Sequence, residues 1–154
     1  SIQTILVAGV VEAVKLINAS GYLAIVATNQ PVIARGEVTV PELQDIHNKM
    51  ETLLGAEGAY LDATYYCPHH PHRGYPGEVE ALKIDCDCRK PRPGMILQAL
   101  ADFNVRPDNA FLIGDSPRDV EAAATAGVKG FLYTGGSVLD LARKIVQNKE
   151  SYGI

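Results

Sequence analysis

Two close pairs of residues stand out in the 154-residue chain: Cys67-x-His69 and, after 16 intervening residues, Cys86-x-Cys88. Thiolate and imidazole are soft to borderline donors, and four of them suit one tetrahedral zinc ion. Residues i and i+2 of an extended chain point the same way, so each pair can face a single ion. The same parity selects His69 over His70, whose side chain is expected to point away. Each pair encloses a single residue, tighter than the roughly two to four of ordinary finger sites. Four protein ligands leave no open position, which predicts a structural ion rather than a catalytic one. The alternative is a set of free thiols beside a solvated, His-rich loop. Against it, all three cysteines and three of the four histidines crowd into residues 67–88. Three cysteines also make a poor disulfide framework. The loop between the pairs, with Pro71, Gly74, Pro76 and Gly77, has little apolar content, so a metal clip would supply its order.

A second group gathers at predicted strand ends. Thr28, Asn29 and Gln30 end one apolar run, and Asp115 ends another. Asp115 precedes a helix N-terminus, where a carboxylate can hold Mg²⁺ beside a phosphate. It can equally be a turn residue, with Ser116 and Asp119 capping the helix that opens at Pro117. Arg89-Lys90-Pro91-Arg92 follows the second cysteine pair directly. Lysine offers a point charge and arginine a bidentate grip to a phosphoryl group. Arg35, in the loop after Thr28, adds to this positive cluster, although a lone basic turn reads as a solvated one.

These groups need elements to position them. Val10, Val14 and Ile17 space a helix over 9–20 with Gly21 as its stop, and Tyr22–Ala27 reads as a strand buried on both faces. Leu43, Ile46, Met50, Leu53 and Leu54 share one face of a helix over 40–54, capped by Thr39 and Glu42 and stopped at Gly55. Leu61–Tyr66 reads as a strand, followed by an irregular stretch to about residue 91. Beyond it come a helix from Pro93 to near Asn104, a strand at Ala110–Ile113 and an alanine-rich helix at Pro117–Ala126. A strand at Gly130–Tyr133 and a helix over 137–149 complete the pattern. Strands alternating with helices predict an α/β fold, a Rossmann-like, largely parallel sheet flanked by helices. Ligands of such sheets sit beyond the carboxyl ends of the strands.

Composition narrows the classes. The net charge of −4 argues against general binding to nucleic acid or an anionic membrane. Without Trp and with 6% aromatic residues, a stacking platform for single strands is not expected. No apolar run approaches the roughly 20 residues of a membrane span, and SIQTILVAGVVEAVKL lacks the basic start of a signal peptide. The expectation is a soluble, cytoplasmic domain of ordinary core size.

The order Thr28-Asn29-Gln30, Cys67-Pro68-His69-His70-Pro71, Cys86-Asp87-Cys88-Arg89-Lys90-Pro91, then Gly114-Asp115 resembles the haloacid-dehalogenase-like phosphatases. Within them it is most similar to the D-glycero-D-manno-heptose bisphosphate phosphatases and their histidinol-phosphate relatives. The resemblance covers nearly the whole chain. It implies that Thr28 binds the transferred phosphoryl group, that Lys90 offsets negative charge there, and that Asp115 is a Mg²⁺ ligand. It gives Cys67, His69, Cys86 and Cys88 as structural zinc ligands, and places Arg35 and Arg89, with Asn29 and Gln30, in contact with substrate. The implied reaction is phosphomonoester hydrolysis through an aspartyl-phosphate, with a second Asp protonating the leaving oxygen.

The sequence departs from the family in two ways. No Asp-x-Asp followed by Gly-Thr occurs, since Asp85-Cys86-Asp87 belongs to the metal segment. The expectation is one domain over 1–154 lacking its first strand, nucleophile and acid/base, with a zinc loop inserted at 67–91, and inactive by itself. Pro31-Val32 also stands where the family usually has Ser-Gly, which removes a hydroxyl and stiffens the loop. The longer loop between the ligand pairs and Ile33-Ala34-Arg35-Gly36 favour a small sugar bisphosphate of the heptose type over histidinol phosphate. A non-catalytic, zinc-stapled binding domain is the alternative of another class.

Overall fold

The computed structural model describes residues 10–69, 71 and 75–154, without the side chains of Pro31 and Val32. His70, His72, Gly74 and the Pro31-Val32 side chains therefore lie outside the described residues, and with them the expectations of their orientation and contacts.

Helix α1 (Val10–Ala19) ends at Gly21 and leads into strand β1 (Ile25–Asn29). The strand starts three residues later than Tyr22 and runs through Thr28 and Asn29, which were expected just beyond its end. The lead-in is held instead by Asp62: its carboxylate accepts the Ala24 amide at 2.7 Å, and its own amide donates to the Ala24 carbonyl at 2.7 Å. A short helix absent from the sequence reading, α2 (Pro31–Ala34), follows, and then α3 (Val40–Ala56). Thr39 and Glu42 form the expected reciprocal cap on α3 at 3.2 and 3.3 Å. Gly55 does not stop this helix; the chain turns out of it at Gly58, whose φ is 79°.

Strand β2 (Ala63–Cys67) pairs in parallel with β1, placing Asn29 opposite Cys67. After the insert and its 3-10 turn at Glu80–Leu82 comes α4 (Gly94–Asp102), with Asn104 in the left-handed region at φ 52°. Strand β3 (Phe111–Gly114), α5 (Pro117–Thr125), β4 (Lys129–Leu132), α6 (Val138–Gln147) and α7 (Lys149–Tyr152) complete the chain.

The strands form two parallel pairs, β1 with β2 and β3 with β4, and no ladder joins β1 to β3 among the described residues. This corrects the expectation that β1 is buried on both faces: all five of its residues are half-buried. The halves meet through α1 against α6 and through the edge-on Tyr22 and Phe111 rings at 5.3 Å. One core lies under β3 and β4, where Ala122, Ala123 and Ala126 pack with Ile96 and Val128. Small side chains let α5 approach closely: a Cβ on Gly130 would lie 3.2 Å from Val120. A second core of Ile33, Val38 and Leu43 packs with Tyr66 and Leu82, tying the segment after β1 to the insert.

Candidate metal centre and phosphate site

The ligand atoms of Cys67, His69, Cys86 and Cys88 all lie within 4.8 Å of one another. Cys67 Sγ is 2.7 Å from Cys88 Sγ and 3.3 Å from Cys86 Sγ, and His69 Nδ1 is 3.3 Å from Cys88 Sγ. Cys67 is fully buried at the last position of β2, and the others are half-buried. Three sulfurs and one imidazole nitrogen gathered at one place are a soft donor set of the size a four-coordinate ion takes. An ion with bonds of about 2.3 Å to sulfur fits by easing them apart.

Burial pushes the Cys67 thiol up, and the contact with Cys88 adds to this. Burial raises Cys88 as well. It also pushes Cys86 up, but there the hydrogen bonds from Cys88 and Cys67 and from the Arg89 and Cys88 backbone outweigh it and leave the thiol low. A cation in their midst would reverse the cost of gathering these thiolates.

Two residues beyond Cys88, Lys90 is held on every side. The Asn29 side chain donates to the Lys90 carbonyl at 3.2 Å and accepts its amide at 3.0 Å. The Lys90 ammonium donates to the Ala27 carbonyl at 3.0 Å and meets Asp119 Oδ1 at 2.6 Å, with side chains 12% and 8% exposed. The other Asp119 oxygen accepts the Ser116 amide at 3.1 Å, capping α5. Burial pushes the Asp119 carboxyl up, but the Lys90 ammonium, with the Ser116 amide and Asp115, outweighs it and holds the group below the usual carboxylate range.

Thr28 follows Ala27, whose carbonyl holds this ammonium, at the carboxyl end of β1. Its hydroxyl donates to the Asn29 carbonyl at 3.3 Å and accepts from Gln30 Nε2 at 3.4 Å. Asp115 is exposed in the turn after β3, close to the Asp119 carboxylate. A carboxylate at this position is the kind of hard oxygen donor that Mg²⁺ takes. Arg89 is half-buried beside Lys90, and Arg35 follows α2 with its side chain 26% exposed and Nε 3.2 Å from Glu37.

Thr28, Asn29, Gln30 and Lys90 are thus brought together by contact, and Asp115 joins them through Asp119. No contact links Arg35 or Arg89 to that group among the described residues. Asp119 as the partner of Lys90 was missed, being read only as a cap. The signal was Gly114, because a Cβ there would collide with the Asp119 side chain.

A family model described as HAD-hydrolase-like matches residues 87–149. The D-glycero-beta-D-manno-heptose-1,7-bisphosphate 7-phosphatase of Rhodopseudomonas palustris is 38% identical over 130 residues, 84% of this chain and 70% of the relative. The chain belongs to the HAD-like phosphatase family. The enzyme of the same name from Pasteurella multocida is 38% identical over 138 residues, covering 88% of this chain and 72% of its own. A crystal structure of D,D-heptose 1,7-bisphosphate phosphatase from B. bronchiseptica, complexed with magnesium and phosphate, aligns with a TM-score of 0.76 at 30% identity. It covers 94% of this chain and 85% of that one.

In this HAD-like phosphatase a fixed ammonium, a hydroxyl and nearby carboxylates gather at the ends of β1 and β3. A pre-positioned ammonium in a largely desolvated setting stabilises developing negative charge without reorganising when the charge appears.

Proposed function

We propose that this chain carries the phosphate- and metal-binding part of a Mg²⁺-dependent phosphomonoester hydrolase acting on a heptose 1,7-bisphosphate. The observation that carries this reading is Lys90, anchored between the Ala27 carbonyl and Asp119 one residue from the Thr28 hydroxyl. The names of the relatives support the substrate.

In this reading Lys90 and Thr28 receive the phosphoryl group to be transferred, and Arg35 and Arg89 meet the rest of the substrate. Asn29 fixes the Lys90 peptide. Asp115 would hold Mg²⁺, which supplies charge neutralisation on phosphoryl oxygens. Cys67, His69, Cys86 and Cys88 would hold a structural zinc, fastening the loop that ends in Lys90 to the end of β2.

The reaction through an aspartyl-phosphate needs an attacking carboxylate, and the sequence holds no Asp-x-Asp followed by Gly-Thr. The test is to read the encoding gene upstream of the Ser1 codon and to assay the product of the complete reading frame. An in-frame Asp-x-Asp-Gly-Thr and Mg²⁺-dependent phosphate release from heptose bisphosphate, faster than from histidinol phosphate, are expected. A complete product that carries the motif and releases phosphate from neither ester sinks the reading. The absent motif favours a second reading, a zinc-stapled domain that binds phosphate esters without turnover. It is adopted if the gene encodes no such motif.

A further inference from the structure

Arg35 does not hang free in its loop. The Tyr75 ring, from the insert between the metal-ligand pairs, lies beneath its guanidinium, with Cζ 5.5 Å from the ring centroid. A second cation, the Lys83 ammonium, stands 5.0 Å from the centroid of the same ring and 3.5 Å from a Glu78 carboxylate oxygen. The two cations differ in access: the Lys83 side chain is 0% exposed, and that of Arg35 is 26% exposed. Lys83 is built into the protein, whereas Arg35 can touch a ligand.

The backbones of the two segments are joined as well. The Val79 amide donates to the Ala34 carbonyl at 2.8 Å, and Gly36 lies so close to the Gly77 carbonyl that no side chain fits between them. Leu82 packs into the Ile33, Val38 and Leu43 core from the insert side. The insert therefore sits directly on the loop that presents Arg35.

We propose that Tyr75 and Lys83 are positioning residues that hold Arg35 for the second phosphate of a sugar bisphosphate, the one not hydrolysed, so that the insert sets preference for bisphosphates over monophosphates. This rests on the functional reading above. The ring gives the guanidinium a face to lie on, and with Nε turned to Glu37 it is the terminal N–H groups that would grip an anion. The buried Lys83 keeps the ring in place.

The test is calorimetric titration of the zinc-loaded chain with heptose 1,7-bisphosphate and with heptose 7-phosphate, which lacks the second group. Tyr75→Leu is expected to weaken the bisphosphate about threefold to tenfold and to leave the monophosphate unchanged, and Tyr75→Phe is expected to behave as the parent. In proton NMR, the Arg35 side-chain signals are expected to carry a ring-current displacement that Tyr75→Phe keeps and Tyr75→Leu loses. Equal weakening of both ligands, no weakening, or no ring-current displacement in the parent overturns the positioning role while leaving the functional reading intact. A parent chain that binds neither ligand overturns the functional reading and this inference with it.

Discussion

Asn29 commits both ends of its amide to a peptide 61 residues further along the chain. That clamp, with the Asp119 ion pair, turns a flexible lysine into a fixed charge. Removing one partner of such a largely buried pair strands the other. Asp119→Asn is therefore expected to cost about 3 kcal/mol at pH 7, read from urea unfolding. The acid limb gives the sign. The folded Asp119 carboxyl lies below its unfolded value, so its contribution is present above about pH 4 and is lost as pH falls through the folded value. The parent should lose stability on acidification below about pH 4 more steeply than Asp119→Asn, and equal slopes would refute the assignment. The residues proposed to touch phosphate or metal were legible as candidates in the sequence, because a thiol, an ammonium or a carboxylate announces its own chemistry. Asn29 as a clamp and Asp119 as the lysine's partner were not, because their roles depend on contacts that only the fold creates.

The elements were legible in type and less so at their ends. Every expected helix and strand is present, but β1 and β2 begin two to three residues late, and each runs on to the last residue that pairs, Asn29 opposite Cys67. Apolar content marks where a strand can be buried, while ladder partners decide where it stops. Helix α2 carries only Pro31–Ala34, too short to show a period in the sequence. The insert was read as ordered by its metal alone, yet it also docks on the segment after α2. Gly36 allows this, with φ at 78° and the Gly77 carbonyl against it. Gly36→Ala is expected to cost roughly 1–3 kcal/mol. It should also speed tryptic cleavage after the buried Lys83, with zinc content unchanged because the ligand pairs lie outside this contact. Unaltered cleavage would mean that the docking adds nothing to the metal clip.

Among the described residues the molecule is two parallel strand pairs with their helices, bridged near the site by a lysine that touches a β1 carbonyl and the first turn of α5. A zinc ion on the Cys67, His69, Cys86 and Cys88 cluster would secure that bridge from one side. About one zinc per chain is expected by metal analysis, and its removal by a chelator should lower Tm by roughly 10 °C. Amide exchange should accelerate first over 67–69 and 86–90, while α5 and α6 keep their protection. A uniform loss of protection would mean that the metal supports the entire fold rather than this corner. The clip carries a chemical liability of its own. Three thiols with sulfurs 2.7 to 3.3 Å apart would form part of a chelate when a metal is bound. Once emptied in air they are well placed to oxidise to a disulfide, which consumes two of the four ligands. Stripping the metal without a reductant would then be a one-way step, and Lys90, two residues from Cys88, would lose its fastening to β2 with it.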